Sequence, residues 1–466
     1  MSFLGAQNSI ALGVQGIIAI DTGTGAPAVV TDPYWANVSM LLHGDGTNAA
    51  QNNTFLDGST NNFTVTRNGN TTQGSFNPFV STYPYAVATN GGSGYFDGTG
   101  DYLSVPNNAA FSFGSGDFTI EMWVYTSNLA AYQTLLDTRS VDAPSAYGFF
   151  IDNAGKPAWY DASGFQTSST ALTSNTWTHV AAVRTSGVLK IFQAGVQVYS
   201  AANTNVQTPL GSFVVGRNIA GTILYTGYIS NLRVVNGTAV YTTAFTPPTA
   251  PLTAVTNTAL LLGMSNGAIF DNTMLNNLET VANAQISTST FKYGTGALKF
   301  NGTTDYLPTP AKTAFVLGSG DFTIECWVYS GLVGNGGIAG QLDSGSIPSL
   351  TSFFMLQIGT ALTCTVSSGS TNYNATAILT ANAWNHVAFV RDGATLRAYV
   401  GGVQGGTGSI TTLAVNTLTY PVTVGRLGDA TLYFNGYIDD FRFTKGICRY
   451  PSGTTFTPPT AAFPNS

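Results

Sequence analysis

The stretch GSGDFTIEMWVY, Gly114 to Tyr125, returns as GSGDFTIECWVY at Gly318 to Tyr329, so the chain is a tandem repeat. Gly and Asp open each copy as a turn. Phe118, Ile120, Met122 and Val124 then alternate with Thr119, Glu121, Trp123 and Tyr125, the period of a β-strand with two distinct faces. A lone strand buries neither face, so this one predicts the centre of a sheet packed on a second sheet.

Matching segments follow in the same order. YFDGTGDYLSVP (Tyr95 to Pro106) pairs with KFNGTTDYLPTP (Lys299 to Pro310), and WTHVAAVR (Trp177 to Arg184) with WNHVAFVR (Trp384 to Arg391). VGR at Val215 recurs at Val424, GYISNLRVVNGTAVY at Gly227 recurs as GYIDDFRFTKGICRY at Gly436, and FTPPT at Phe245 recurs at Phe456. The offset grows from 204 at Asp117/Asp321 to 211 at Pro247/Pro458 (321 − 117 and 458 − 247). Insertions therefore fall in loops between matching strands, as in two large sandwiches; a solenoid would repeat at a shorter period.

The first copy opens at Met40-Leu41-Leu42 and the second at Leu260-Leu261-Leu262. The expected division is an arm over 1–37, one sandwich over 38–252 and another over 253–466, joined by the Pro-bearing segment Thr246 to Thr258. The fold class expected is all-β, two antiparallel jelly-roll sandwiches with little helix. The arm holds Phe3, Leu4, Ile10, Leu12, Val14, Ile17, Ile18 and Ile20 without Lys or Arg, which predicts a contact surface to another chain.

Only 8% of the residues are charged, and Gly, Thr, Ser and Asn carry the polarity. With 28 Phe, 22 Tyr and 6 Trp the chain has ample apolar area for two cores. The 16 Lys and Arg are scattered singly and the net charge is −6, which disfavours nucleic acid. No apolar run is long enough to cross a bilayer, and the first basic residue is Arg67, so neither membrane insertion nor a secretory leader is expected. Cys326, Cys364 and Cys448 all lie in the second copy, so the shared fold needs no disulfide.

Taken in order, FDGTGDYL, GDFTIEMWVY, WTHVAAVR and GYISNLRV resemble the laminin-G-like, concanavalin A-like lectin/glucanase domain across both copies. That resemblance implies a sandwich of about a dozen strands that binds glycans or protein surfaces through loops, sometimes with calcium. Tandem pairs ending in Tyr…FTPPT, with low charge, are similar to tailed-bacteriophage virion proteins. The expectation is a non-catalytic tail-fibre or head-decorating adhesin at the virion surface, made in the host cytoplasm. Its partners would be other virion proteins, held through the arm, and a host-surface glycan or protein, with a homotrimer guessed from fibre-like relatives. The alternative is a carbohydrate-binding adhesive module of a bacterial surface protein.

A glycosidase on this fold needs two carboxylates flanking the bond. Glu121 and Glu325 stand on the right kind of strand, but Trp123, Tyr125, Trp327 and Tyr329 occupy the alternate positions where the glucanase version has an Asp and a second Glu. Each Glu is therefore expected to accept hydrogen bonds within the sheet. His179 and His386 each follow a Trp by two residues, without a nucleophile motif; His43 has no counterpart. They are expected to donate to neighbouring backbone or carboxylate groups.

Calcium is the one ion the turns suggest, because hard cations take clusters of oxygens. Asp97, Asp101, Asp305 and Asp439 are the candidate ligands, beside Asn301 and Asp440. The copies do not share one design, since Ser230 and Asn231 replace the late pair and Asp45 aligns with Ser265. Tyr83, Tyr85, Tyr102, Tyr160, Tyr225, Tyr306, Tyr373 and Tyr433 lie near predicted loops, where a ring can stack on a sugar or simply pack.

Overall fold

The computed structural model describes residues 31–79, 84–140, 146–342, 351–418, 420–428, 432–451 and 455–465. Most of the N-terminal arm, residues 1–30, lies outside them, as does Tyr83. Among the described residues the only α-helix is the single turn Val87–Asn90, and no helix is long and apolar enough to cross a membrane.

Four sheets form two sandwiches. In the first, Phe118–Tyr125 lies between Thr178–Thr185 and Thr226–Asn236, facing a seven-stranded sheet centred on Gln133–Asp137 and Phe213–Val215. In the second, Phe322–Tyr329 lies between Trp384–Asp392 and Asn435–Lys445, facing a sheet built around Asn335–Leu342 and Thr351–Ile358. Among the described residues pairing is antiparallel apart from one parallel contact between Gly337 and Tyr433.

The two-residue period does what it predicts. Phe118, Ile120, Met122 and Val124 join one core with Trp159, Tyr147 and Phe213, and Phe322, Ile324, Cys326 and Val328 join the other. Fully burying each such side chain contributes about 1.5–3 kcal/mol. The thiols of Cys326 and Cys364 are free and buried, and burial pushes both up.

The linear boundaries do not follow the sheets. Strand Val38–Leu42, expected to open the first sandwich, pairs instead with Asn435–Lys445 of the second, with Leu42 opposite Phe441. Strand Thr258–Leu262, expected to open the second, pairs with Thr226–Asn236 of the first, with Leu262 opposite Leu232. Met40 and Leu42 enter the second core; Leu260, Leu262 and Met264 enter the first. The sandwiches have exchanged their opening strands within one chain. Residues 31–37 go the same way, since Asp32 Oδ2 accepts from Arg442 at 2.9 Å in the second sandwich.

The outer face of each central strand is covered too. Tyr241 stacks on Phe245 at 3.6 Å over Ala181, Val183 and Phe192, and Tyr450 stacks on Phe456 at 3.7 Å over Ala388, Val390 and Tyr399. The Tyr…FTPPT segment is thus a strap across the sheet. It runs so close that a Cβ on Gly195 would sit 1.8 Å from the Phe245 carbonyl oxygen, and one on Gly402 would sit 1.9 Å from that of Phe456. Both glycines have a positive φ, which favours Gly independently.

Candidate functional site

The residue types that suggest catalysis form buried cross-links beneath the straps. Glu121 Oε2 contacts His179 Nε2 at 3.0 Å and accepts from the Tyr241 hydroxyl at 2.7 Å, while Oε1 accepts from Arg233 Nη2 at 2.6 Å. Glu325 repeats the set with His386 at 3.2 Å, Tyr450 at 2.6 Å and Arg442 at 2.8 Å. Both glutamates are fully buried. Burial alone would raise them; His179 with Arg233, and Arg442 with His386, outweigh it and hold both carboxyls below the usual range. A carboxylate held ionised with both oxygens engaged ties three strands and a strap together.

The turn aspartates spend their oxygens on backbone N–H groups. Asp101 accepts from Asn70 at 2.6 Å and Asp97 at 3.0 Å, Asp305 from Asn283 at 3.0 Å and Asn301 at 3.1 Å, and Asp97 from Thr99 at 2.6 Å. Asp439 Oδ2 accepts from Lys292 and Tyr293, and its Oδ1 from Asp440. Burial raises Asp101 to about 6 and Asp439 to about 7. Asp97 and Asp101 share one turn, Asp305 lies in the corresponding turn of the second copy and Asp439 lies on strand Asn435–Lys445, and no cluster of three or more His, Cys, Asp or Glu side chains is placed for a metal among the described residues.

The tyrosines mostly pack. Tyr225 is buried with its hydroxyl on the Tyr125 and Tyr228 carbonyls, Tyr85 donates to Gly91 and rests on Phe270, and Tyr373 packs against the second core. Tyr102 and Tyr160 lie under Arg217 and Arg139. Tyr306 differs, because it lines a cleft between the sandwiches.

That cleft holds about 460 Å³. The first sandwich contributes Asn70, Thr72, Tyr95 and Asp97; the second contributes Glu279, Tyr306, Pro308, Pro310 and Arg426. The Arg426 guanidinium lies 3.6 Å from the Tyr306 ring centroid and 5.8 Å from that of Tyr433. Its buried Nε has no hydrogen-bond partner among the described residues. Glu279 is tethered by Asn70 at 3.2 Å and Arg67 at 3.4 Å, and burial raises its carboxyl. Aromatic faces, two carboxylates and a guanidinium thus converge in one concavity, which suits a polyhydroxylated ligand with apolar faces. Of the cleft's residues Tyr306 and Asp97 are candidates from the sequence, as is Tyr433 beside Arg426, whereas Tyr95, Glu279 and Arg426 are not. The recurring VGR motif was the only signal pointing at Arg426.

A family model described as the concanavalin A-like lectin/glucanases superfamily matches residues 97–240 and 301–447. Among solved structures, mouse laminin α1 chain domains LG4-5 are similar at 14% identity over 79% of this chain and 92% of that one, with a TM-score of 0.29. Domain 4 of the Geobacillus stearothermophilus extracellular arabinanase AbnA, solved with arabinotriose, is similar at 21% identity over 41% of this chain and 95% of that one, with a TM-score of 0.30. The Ruminococcus gnavus sialidase CBM40, bound to α2,3-sialyllactose, is similar at 16% identity over 29% and 86%, with a TM-score of 0.24. No curated protein matches.

Proposed function

We propose that this chain, which belongs to the concanavalin A-like lectin/glucanases superfamily, is a non-catalytic carbohydrate-binding protein that takes an oligosaccharide in the cleft between its two sandwiches. The observation that carries this reading is the convergence of Tyr95, Tyr306, Asp97, Glu279 and Arg426 from both halves of the chain. A sugar ring laid on Tyr306 would present its hydroxyls to the carboxylates as donors and to Arg426 as acceptors. The exchanged strands hold the two walls in fixed register, so little ordering cost falls on binding.

The setting we propose is the surface of a tailed-bacteriophage particle, where the protein acts as a tail-fibre or head-decorating adhesin. The low charge and the paired Tyr…FTPPT endings support it. The apolar residues of the arm would seat the protein on other virion proteins, and a homotrimer would multiply weak glycan contacts. The same cleft would serve an adhesive module of a bacterial surface protein, and antibody labelling of particles and of cells separates these settings.

Binding is tested by glycan-array screening followed by calorimetric titration of the wild type and Tyr306→Ala. Loss of binding on a folded Tyr306→Ala background is expected. A glycan bound equally well by that variant would place the site elsewhere.

A further inference from the structure

The inter-sandwich cleft continues past Tyr95, Pro310 and Ala311 into a second concavity of about 520 Å³. Its floor is aromatic: Phe76, Tyr125 and Tyr228 pack edge to face, with Phe76 and Tyr228 centroids 4.6 Å apart, and Trp177 adjoins Phe76 at 5.3 Å. Charge enters this lining only through Lys312, from the second sandwich. Its Nζ lies 4.5 Å from the Phe76 ring centroid and 5.2 Å from that of Tyr228. Its one hydrogen-bond partner among the described residues is the Leu275 carbonyl, so an ammonium with three donors keeps capacity to spare. The Tyr228 hydroxyl and the Trp177 indole N–H are buried and have no partner among the described residues. Burial lowers Lys312 to about 8, with Asp271 drawing it back up, so the group is charged at pH 7.

The two ends of the cleft therefore differ in sign. Asp97 and Glu279 line one end, against Arg426; Lys312, with buried Asp271 behind it, is the charged side chain that lines the other. We infer that the cleft binds an acidic oligosaccharide in one direction, with a sugar carboxylate or sulfate at Lys312 and neutral hydroxyl-rich units over Tyr306. This inference rests on the carbohydrate-binding reading above and adds the ligand's charge and polarity. An anion at Lys312 replaces hydration lost on burial, whereas the same anion beside Asp97 and Glu279 meets like charge.

The test titrates the full-length protein with a galactohexaose carrying a single terminal galacturonate and with neutral galactohexaose, in wild type and Lys312→Met, at pH 7 and low salt. Methionine keeps an apolar stem over Phe76 and removes the charge together with the hydrogen bond to the Leu275 carbonyl. The wild type should prefer the acidic chain by roughly five- to tenfold, the size of one partly screened charge pair, and Lys312→Met should erase the preference while neutral binding persists. Equal wild-type affinities, or a preference that survives Lys312→Met, would overturn the inference and leave carbohydrate binding standing. Binding of neither oligosaccharide, with no hit on a wider array, would instead remove the carbohydrate-binding reading itself. A Lys312→Arg variant that restores the preference separates charge from altered packing.

Discussion

The Leu41 amide donates to the Asp271 carboxylate at 3.0 Å across 230 residues of chain. Its counterpart is the Leu261 amide on Asp57, also at 3.0 Å. Gly58 and Asn272 return the bond, donating to the Leu261 and Leu41 carbonyls at 2.7 and 2.8 Å. Each half of the chain thus carries an Asp turn that clasps the opening strand of the other half. The exchange is reciprocal, so neither core is complete without the other's residues.

Unfolding should consequently be a single event. Leu42 belongs by sequence to the first copy and by packing to the second core. Leu42→Ala should cost about 2–5 kcal/mol and move one calorimetric transition as a whole. Two resolved transitions, only one of them shifted, would show that the sandwiches fold independently despite the exchange.

The buried glutamates are expected to be structural. Glu121→Gln leaves Arg233 facing a neutral amide within a fully buried cluster, a loss of about 3–5 kcal/mol for a broken buried pair. Denaturant titration reads that loss. Polysaccharide turnover present in the wild type and abolished by Glu121→Gln or Glu325→Gln in still-folded protein would instead assign these residues to catalysis.

Gly195 is where a strap meets its sheet. Gly195→Ala places a methyl against the Phe245 carbonyl oxygen and strains a φ of 78°, so destabilisation beyond about 1 kcal/mol is expected. The Phe245 amide bond to the Gly195 carbonyl, 3.0 Å long, should open with it. Unchanged hydrogen-exchange protection at Phe245 in the variant would show that the strap is not held there.

The core faces were legible because strand periodicity is local: eight residues of FTIEMWVY suffice to sort Ile120 inward. The Glu–His pairing was legible only as chemistry, and its partners Arg233 and Tyr241 lie more than a hundred residues away in sequence. The exchange was not legible. Met40-Leu41-Leu42 and Leu260-Leu261-Leu262 carry the same apolar pattern, so either fits either sheet; the bonds to Asp271 and Asp57 that hold each in its place join residues 204 or more apart in sequence. The cleft was hidden for a related reason, since Asp97 and Arg426 become neighbours only once both sandwiches are assembled.

The last prediction concerns pH. His43 follows the exchanged strand, and its Nδ1 pairs with buried Asp440 while Nε2 lies 2.6 Å from Asn465 Oδ1. Burial lowers the imidazole, but the hydrogen bond and charge of Asp440 outweigh it, and the net shift is upward from 6.5. A group whose folded value is raised contributes stability that is fully present below 6.5 and lost as pH rises through the folded value. Asp440 also accepts from the Phe463 amide at 2.9 Å, so the ion pair anchors the exchanged strand and the C-terminal segment together. Thermal stability should therefore fall as pH rises from 6.5 through the folded value, and His43→Gln should flatten that limb while lowering stability at pH 6 more than at pH 9. A His43→Gln variant whose stability loss is the same at both values would show that the imidazole is bound in its neutral form and that the pair carries no charge.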